Sequence, residues 1–243
     1  ELLICERLRS LRMSGMADAF ESQMLDPNAD LSPFIERFTE IVNHEWQVRY
    51  DKKFKRYLKQ AHLRYPDADL DETIYDPARK LDTTAIERLA TCHWIDEGKN
   101  LLITGMTSSG KTHLSNALCI SALRQLKTVR YIRANTLMLE LEQARLKSTY
   151  LEYVTALSKL DLLAIDDFGL MELDLDKCRD LFEVIDGRDG RRSTIIISQF
   201  PIKSWFDLFR EHTYADACLA RITDKRHSYR LEMNGISMRE AEK

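Results

Sequence analysis

The second half of this 243-residue chain predicts a doubly wound parallel α/β domain, and three observations carry that prediction. Four short stretches that read as strands, at residues 101–104, 128–133, 162–165 and 193–198, alternate with helical patterns. The third run, Leu162-Leu163-Ala164-Ile165, is apolar throughout, as in a strand covered by helices on both faces. The first run leads straight into Gly105-Met106-Thr107-Ser108-Ser109-Gly110-Lys111-Thr112. A helical pattern with Leu114, Ala117, Leu118 and Ala122 on one face follows at once. Right-handed crossovers then stack the helices on both sides of the sheet.

The glycine loop is the most informative of these. A G-x-x-x-x-G-K-T sequence between a strand and a helix turns successive backbone N–H groups toward a polyphosphate. The helix adds the positive end of its dipole. Lys111 is placed to reach the β- and γ-phosphates of a nucleotide, and the Thr112 hydroxyl to ligate Mg²⁺. Gly105, Met106, Thr107, Ser108, Ser109, Gly110, Lys111, Thr112 and His113 are therefore the candidate nucleotide contacts.

The third strand ends in Asp166-Asp167. Asp166 is placed to hold Mg²⁺ opposite Thr112, and Asp167 to orient or deprotonate an attacking water. The competing reading is a helix N-cap. At the tip of the fourth strand, Ser198 or Gln199 is positioned to sense the γ-phosphate; a solvent-facing polar pair is the bland alternative. Arg221 falls on a helical stretch, residues 215–222, and is either an arginine finger given to a neighbouring subunit or a surface ion-pair former. Its spacing leaves both open. Tyr229, Leu231 and Met233 alternate with Arg230 and Glu232 and predict a last strand.

Composition allows a core but names no partner. Hydrophobic residues are 44% of the chain and the net charge is −3, so any nucleic-acid surface must be local. The length suits two units or one enlarged domain. Cys5, Cys92, Cys119, Cys178 and Cys218 are scattered without a C-x-x-C pair, which predicts reduced thiols and no zinc site. No apolar run approaches the ~20 residues of a membrane span. Residues 1–6 carry acids and no basic leader, so no signal peptide is expected and the location is expected to be cytoplasmic.

Upstream, residues 1–62 read as helices. Ser14-Gly15 is expected to interrupt the first two, and Asp30 or Ser32 to cap a long helix starting near Pro33. Its apolar face carries Phe34, Phe38, Ile41, Val42 and Trp46, then Tyr50, Phe54, Tyr57, Leu58 and Ala61. Around the second half stand Arg49, Lys52, Lys53, Lys55, Arg56, Lys59 and Arg64 against the one acid Asp51. This is a solvated helix whose basic stems cover apolar surface, or a track along nucleic-acid phosphates; the local excess of bases favours the track. Arg145 and Lys147, beside a polar break, add two further bases. The expected organisation is a helical domain over residues 1–65, an acidic proline-bounded linker over 66–83, and the α/β domain over 84–243. A short helix near residues 84–90 leads to Trp94, which borders an adenine or, more simply, fills the core. Asn135 or Thr136 is expected to cap the helix carrying Leu137 and Leu141.

Together, residues 13–17, 46–66, 100–114, 161–170, 193–201 and 235–239 resemble the IstB-like ATP-binding proteins, the helper ATPases of bacterial insertion sequences. The resemblance covers nearly the whole chain. It implies an AAA+ core, near the helicase loaders and replication initiators, with five strands in the order 5-1-4-3-2. It also implies ATP hydrolysis, nucleotide-promoted head-to-tail assembly as a ring or filament on duplex DNA, and a transposase partner. Lys111, Thr112, Asp166, Asp167 and Gln199 keep their roles by motif, and Arg221 matches the finger. Met106 and Ser108 stand where relatives carry proline and glycine, and Ala220 replaces an acid beside the finger. Ser108 must then adopt a backbone geometry that glycine allows. The tail after Ile222 is short for a separate helical lid, so none is expected, although Arg239 is a candidate to approach a nucleotide. The alternative function is a helicase loader whose N-terminal helices dock on a ring helicase.

Overall fold

The structure, a computed structural model, describes residues 2–71 and 82–233. The chain divides into two compact units, residues 1–56 and 57–243. The first holds α1 (Leu2–Ser10), α2 (Ser14–Leu25) and most of α3 (Phe34–Ala61). Ser14-Gly15 does not interrupt a helix but opens α2. The reason is packing: a Cβ on Gly15 would lie 2.9 Å from the Cα of Glu45, so glycine marks where α2 touches α3. Glu45, buried there, accepts the Met16 N–H at 3.1 Å and pairs with Arg49. Arg49 also donates to the Arg12 carbonyl at 2.8 Å. α3 starts directly after Pro33. Of its predicted apolar face Ile41 and Ala61 are buried, while Phe34, Phe38, Val42 and Trp46 are exposed.

The second unit is the α/β domain. β1 (Asn100–Gly105), β2 (Val129–Arg133), β3 (Leu162–Asp166), β4 (Ser193–Ser198) and β5 (Ser228–Met233) form one parallel sheet. Their order is β2-β3-β4-β1-β5, the expected 5-1-4-3-2 counted from the other edge. β3 and β4 are buried along their whole length, around the apolar stretches at residues 162–165 and 195–197. α4 (Thr83–Ala90) and α5 (His93–Asp96) precede β1, and α6 (Lys111–Arg124) follows it. α7 (Ala134–Leu146) and α8 (Tyr150–Lys159) fill the β2–β3 crossover; α9 (Leu175–Asp186) and α10 (His212–Thr223) flank β4 in sequence. Leu102, Ile132, Leu163, Ile165 and Ile196 meet Leu137, Leu141, Leu181 and Ile222 in the main core, where Phe168 packs edge-on to Trp205.

Several local expectations need correcting. α7 begins at Ala134, so Asn135 and Thr136 lie inside its first turn instead of capping it. α8 fills a stretch where sequence reading found only a polar break. Trp94 is buried and donates its indole N–H to the Leu89 carbonyl at 2.9 Å, which makes it a core residue. Ala68 packs on Ala117 and Ile120 of α6, and Asp69 pairs with Arg124 at 3.0 Å. Residues 72–81 of the acidic stretch, residues 235–239 and the expected missing lid with Arg239 lie outside the described part.

Asn100 sets the lower end of the sheet. Its side chain accepts the Thr194 N–H at 3.0 Å and donates to the Arg221 carbonyl at 3.3 Å, tying β1, β4 and α10 together. The upper end is set by Gly105, which has φ +149° and passes so close to β5 that a Cβ would lie 2.2 Å from the Met233 carbonyl oxygen. Gly105→Ala therefore forces the β1–β5 edge apart and lowers stability by about 3 kcal/mol. A denaturant titration showing an unshifted midpoint would contradict that close approach.

Candidate nucleotide site

Every strand of a parallel sheet points the same way, so residues at the strand ends converge on one rim. The glycine loop leaves β1 there and enters α6 at Lys111. Two residues of the loop take left-handed backbone, Gly110 at φ +88° and Ser108 at φ +63°. Ser108 thus does adopt the conformation that glycine allows more easily. Lys111, buried at 9% exposure, turns its ammonium into the loop. It donates to the Gly105 carbonyl at 2.8 Å and the Met106 carbonyl at 2.7 Å. Burial lowers its pKa, and the charges of Asp166 and Asp167 oppose that shift.

Asp166 sits at the end of β3 at 2% exposure. Its Oδ2 accepts the Thr112 hydroxyl at 2.8 Å and the Tyr131 phenol at 2.6 Å, and its Oδ1 accepts the Asp167 N–H at 2.7 Å. Hydroxyl and carboxylate oxygens side by side are the donor set of a hard cation such as Mg²⁺, and the two residues expected to hold it are brought together. Asp167 follows with φ +58°, a conformation that aspartate tolerates better than most residues. Its half-exposed carboxylate stands 3.6 Å from the Arg133 guanidinium at the end of β2.

The strand-four alternatives separate cleanly. Ser198 is buried and donates to the Phe168 carbonyl at 2.7 Å, which joins the ends of β3 and β4. Gln199 instead reaches the loop, where its Oε1 accepts the Thr107 hydroxyl at 2.7 Å. His113, on the first turn of α6, lies 6.0 Å from the ring of Tyr65. Tyr65 is held by its N–H on the Asn116 side chain at 3.0 Å, and that side chain also donates to the Thr112 carbonyl.

Arg221 is not at this rim. Its carbonyl lies beside Asn100, at the opposite end of β1, about 17 Å from the loop at the usual rise per residue. The guanidinium pairs with Asp186 at 2.8 Å, donates to the Ala217 carbonyl and covers the Phe182 ring. Among the predicted bases, Arg145 is drawn into an ion pair with Asp180 and lies over the Tyr150 ring, while Lys147 is exposed. Lys52, Lys55, Arg56 and Lys59 are exposed on α3 and Lys53 is half-buried. The cysteines are buried and free; burial pushes Cys92 up to about 11 and Cys218 up to about 12, so neither is a thiolate at neutral pH. Sequence reading missed Tyr131, Arg133 and the Tyr65–Asn116 contact, all of which depend on which strands and helices are neighbours.

The family model for the IstB-like ATP-binding protein matches residues 6–243. The chain belongs to the IstB-like ATP-binding family. A protein of Sinorhizobium fredii named for ATP binding in an insertion sequence, y4uH, is 36% identical over 232 residues, which is 96% of this chain and 92% of that one. The corresponding ATP-binding protein of insertion sequence IS1162 from Pseudomonas fluorescens is 39% identical over 195 residues, 80% of this chain and 84% of that one. The fold is also that of the DnaC helicase loader, with a TM-score of 0.59 at 18% identity over 70% of this chain and 99% of the loader. AMPPCP-bound DnaA from Aquifex aeolicus superposes with a TM-score of 0.58 at 18% identity, over 71% of this chain and 51% of DnaA. This is an AAA+ phosphate-loop fold in an ATP-binding family of insertion sequences. Among the described residues no helix is long and apolar enough to cross a membrane.

Asp167→Asn removes a charge without changing shape, and Asp167 makes no described hydrogen bond to the loop, its charge reaching Lys111 only through space. ATP affinity should stay within about threefold of wild type while turnover falls by about 10²-fold or more, the usual scale for a lost general base or water-orienting group. Isothermal titration and phosphate release measure the two separately. Undiminished turnover would remove Asp167 from the chemistry.

Proposed function

We propose that this IstB-like protein is an ATPase that assembles head to tail on duplex DNA and stimulates the transposase of its insertion sequence. The observation that carries the ATPase reading is the meeting of Lys111, Thr112, Asp166, Asp167 and Gln199 at one sheet rim. Lys111 binds the β- and γ-phosphates once it exchanges the loop carbonyls for phosphate oxygens. Thr112 and Asp166 hold Mg²⁺, which when bound neutralises charge on the phosphates. Asp167 takes the proton of the attacking water, and Gln199, already at the loop through Thr107, fixes that water against the γ-phosphate. The catalytic work is positioning and charge stabilisation.

The location of Arg221 supports a subunit-bridging role. Facing away from its own loop, it has no route to its own γ-phosphate, whereas head-to-tail packing lets it serve a neighbour's. An arginine finger is worth about 10³–10⁵ in rate. Arg221→Ala should bind ATP normally yet lose turnover, and Lys111→Ala should lose ATP binding. Mixed together, the two variants restore ATPase activity, because some interfaces pair an intact loop with an intact finger. Activity that stays at the sum of the two, in mixtures shown to co-assemble, defeats the bridging role.

The DNA surface is proposed on α3, where Lys52, Lys55 and Arg56 lie at i, i+3 and i+4 on one exposed face. A second reading, an ATP switch docking on a replicative helicase, draws on the exposed Phe34, Phe38 and Trp46 of the same helix. Converting Lys52, Lys55 and Arg56 to Gln separates the two. On the DNA reading, duplex affinity falls evenly across sequences, and the slope of log K against log salt flattens by about 3. An unchanged slope returns these residues to a solvated face and favours the docking reading.

A further inference from the structure

Tyr131 is a buried tyrosine on an edge strand, and the ring alone explains its place in the core. The hydroxyl needs another explanation. A buried phenol must find a partner, and the only one described for it is Asp166 Oδ2 at 2.6 Å. The parallel register makes this reach possible. Tyr131 pairs with Ala164, the smallest residue of β3, two positions before Asp166, so the ring can lie along the neighbouring strand toward its end. A phenylalanine would fill the same volume and leave the carboxylate one donor short.

The accounting at Asp166 shows what that donor does. An ionised carboxylate offers about four acceptor positions. Thr112 and Tyr131 occupy both on Oδ2, and the Asp167 N–H takes one on Oδ1. One position on Oδ1 is left among the described contacts. Thr112 alone cannot fix the plane of the group, because its hydroxyl must also serve the cation. Tyr131 and the Asp167 N–H approach opposite oxygens and stop the carboxylate from turning about its Cβ–Cγ bond.

We infer that Tyr131 is a positioning residue for the Mg²⁺ site, holding the Asp166 carboxylate so that its remaining acceptor faces the water shell of the cation. This rests on the nucleotide reading above and adds to it a member that the motif does not contain. Partners that orient a metal's ligands typically change metal affinity by about 10–100-fold when removed.

The test is Tyr131→Phe, which deletes one oxygen. Affinity for a fluorescent ATP analogue is measured in EDTA and across a Mg²⁺ titration, with thermal unfolding of the nucleotide-free protein alongside. Tyr131→Phe should melt within a few degrees of wild type and bind the analogue equally well in EDTA. The Mg²⁺ concentration giving half of the metal-dependent gain in affinity should rise by about tenfold. A purely structural role for the hydroxyl predicts the reverse: a lower melting point and weaker binding in EDTA, with an unshifted Mg²⁺ midpoint. That pattern overturns the inference while leaving the nucleotide site standing. If wild type itself gains no affinity from Mg²⁺, the metal assignment of Thr112 and Asp166 falls, and the role of Tyr131 with it. Should Tyr131→Phe prove insoluble, Ala164→Gly supplies the second variant. It leaves the hydroxyl in place but loosens the strand that the ring lies along, and a positioning role then predicts a smaller rise in the same Mg²⁺ midpoint. An unshifted midpoint in Ala164→Gly likewise counts against the inference.

Discussion

A carboxylate at 2% exposure survives only where donors surround it, and Asp166 is the point on which the rim of this sheet depends. Its three donors come from three places: α6 through Thr112, β2 through Tyr131 and the turn after β3 through Asp167. Satisfying one buried charge therefore locks the phosphate loop, the edge strand and the strained turn into one register. The same turn is pinned from the other side, where the Phe168 N–H reaches the Ile197 carbonyl and Ser198 reaches the Phe168 carbonyl. With its flanks fixed, Asp167 can keep a φ of +58° that an unsupported loop would relax.

The parts of this arrangement that were legible in the sequence are those encoded by neighbours along the chain. β3 announces itself by an unbroken apolar run, and the loop by glycines before Lys111. Gln199 follows because a strand tip one residue beyond Ser198 is a local fact. Tyr131 and Arg133 were not legible, since nothing within β2 says that its neighbour is β3 or that Tyr131 faces Ala164. α8 is a different case. Tyr150, Tyr153, Val154 and Leu157 sit at i, i+3, i+4 and i+7, all packed on the core, so its signal was present in the spacing. Gly15 misled because a glycine that permits close helix packing looks, in sequence, like one that breaks a helix.

Arg188 shows how far the scaffold below the site goes to hold its shape. The guanidinium is almost wholly buried with no acid bonded to it among the described residues, and it donates to the Leu160 and Ser193 carbonyls and the Thr194 hydroxyl. Burial draws its pKa down to about 9, so it stays charged at neutral pH. Those contacts join the end of α8 to the start of β4, and Asn100 joins β4 to β1 and α10. The lower rim is thus held by polar bridges as the upper rim is by Asp166. Between them the strands are free to be purely apolar.

Two arginines bear on the proposed chemistry, and both are engaged with acids in the single chain, Arg133 with Asp167 and Arg221 with Asp186. Neither pair is deeply buried, and exposed pairs of this kind contribute only about 0–1 kcal/mol. A polyphosphate bearing several negative charges in a closed interface is a stronger partner than either carboxylate. Exchange of partners then costs little for each arginine, and the gain appears only when nucleotide and neighbouring subunit are present together. On the proposed reading the isolated chain is built to bind ATP without spending it. Its own Arg221 lies at the wrong end of the sheet to complete the site, and its own Arg133 occupies the carboxylate that must meet water. Coupling of turnover to assembly needs no moving lid in this account. It follows from where two arginines stand on one parallel sheet.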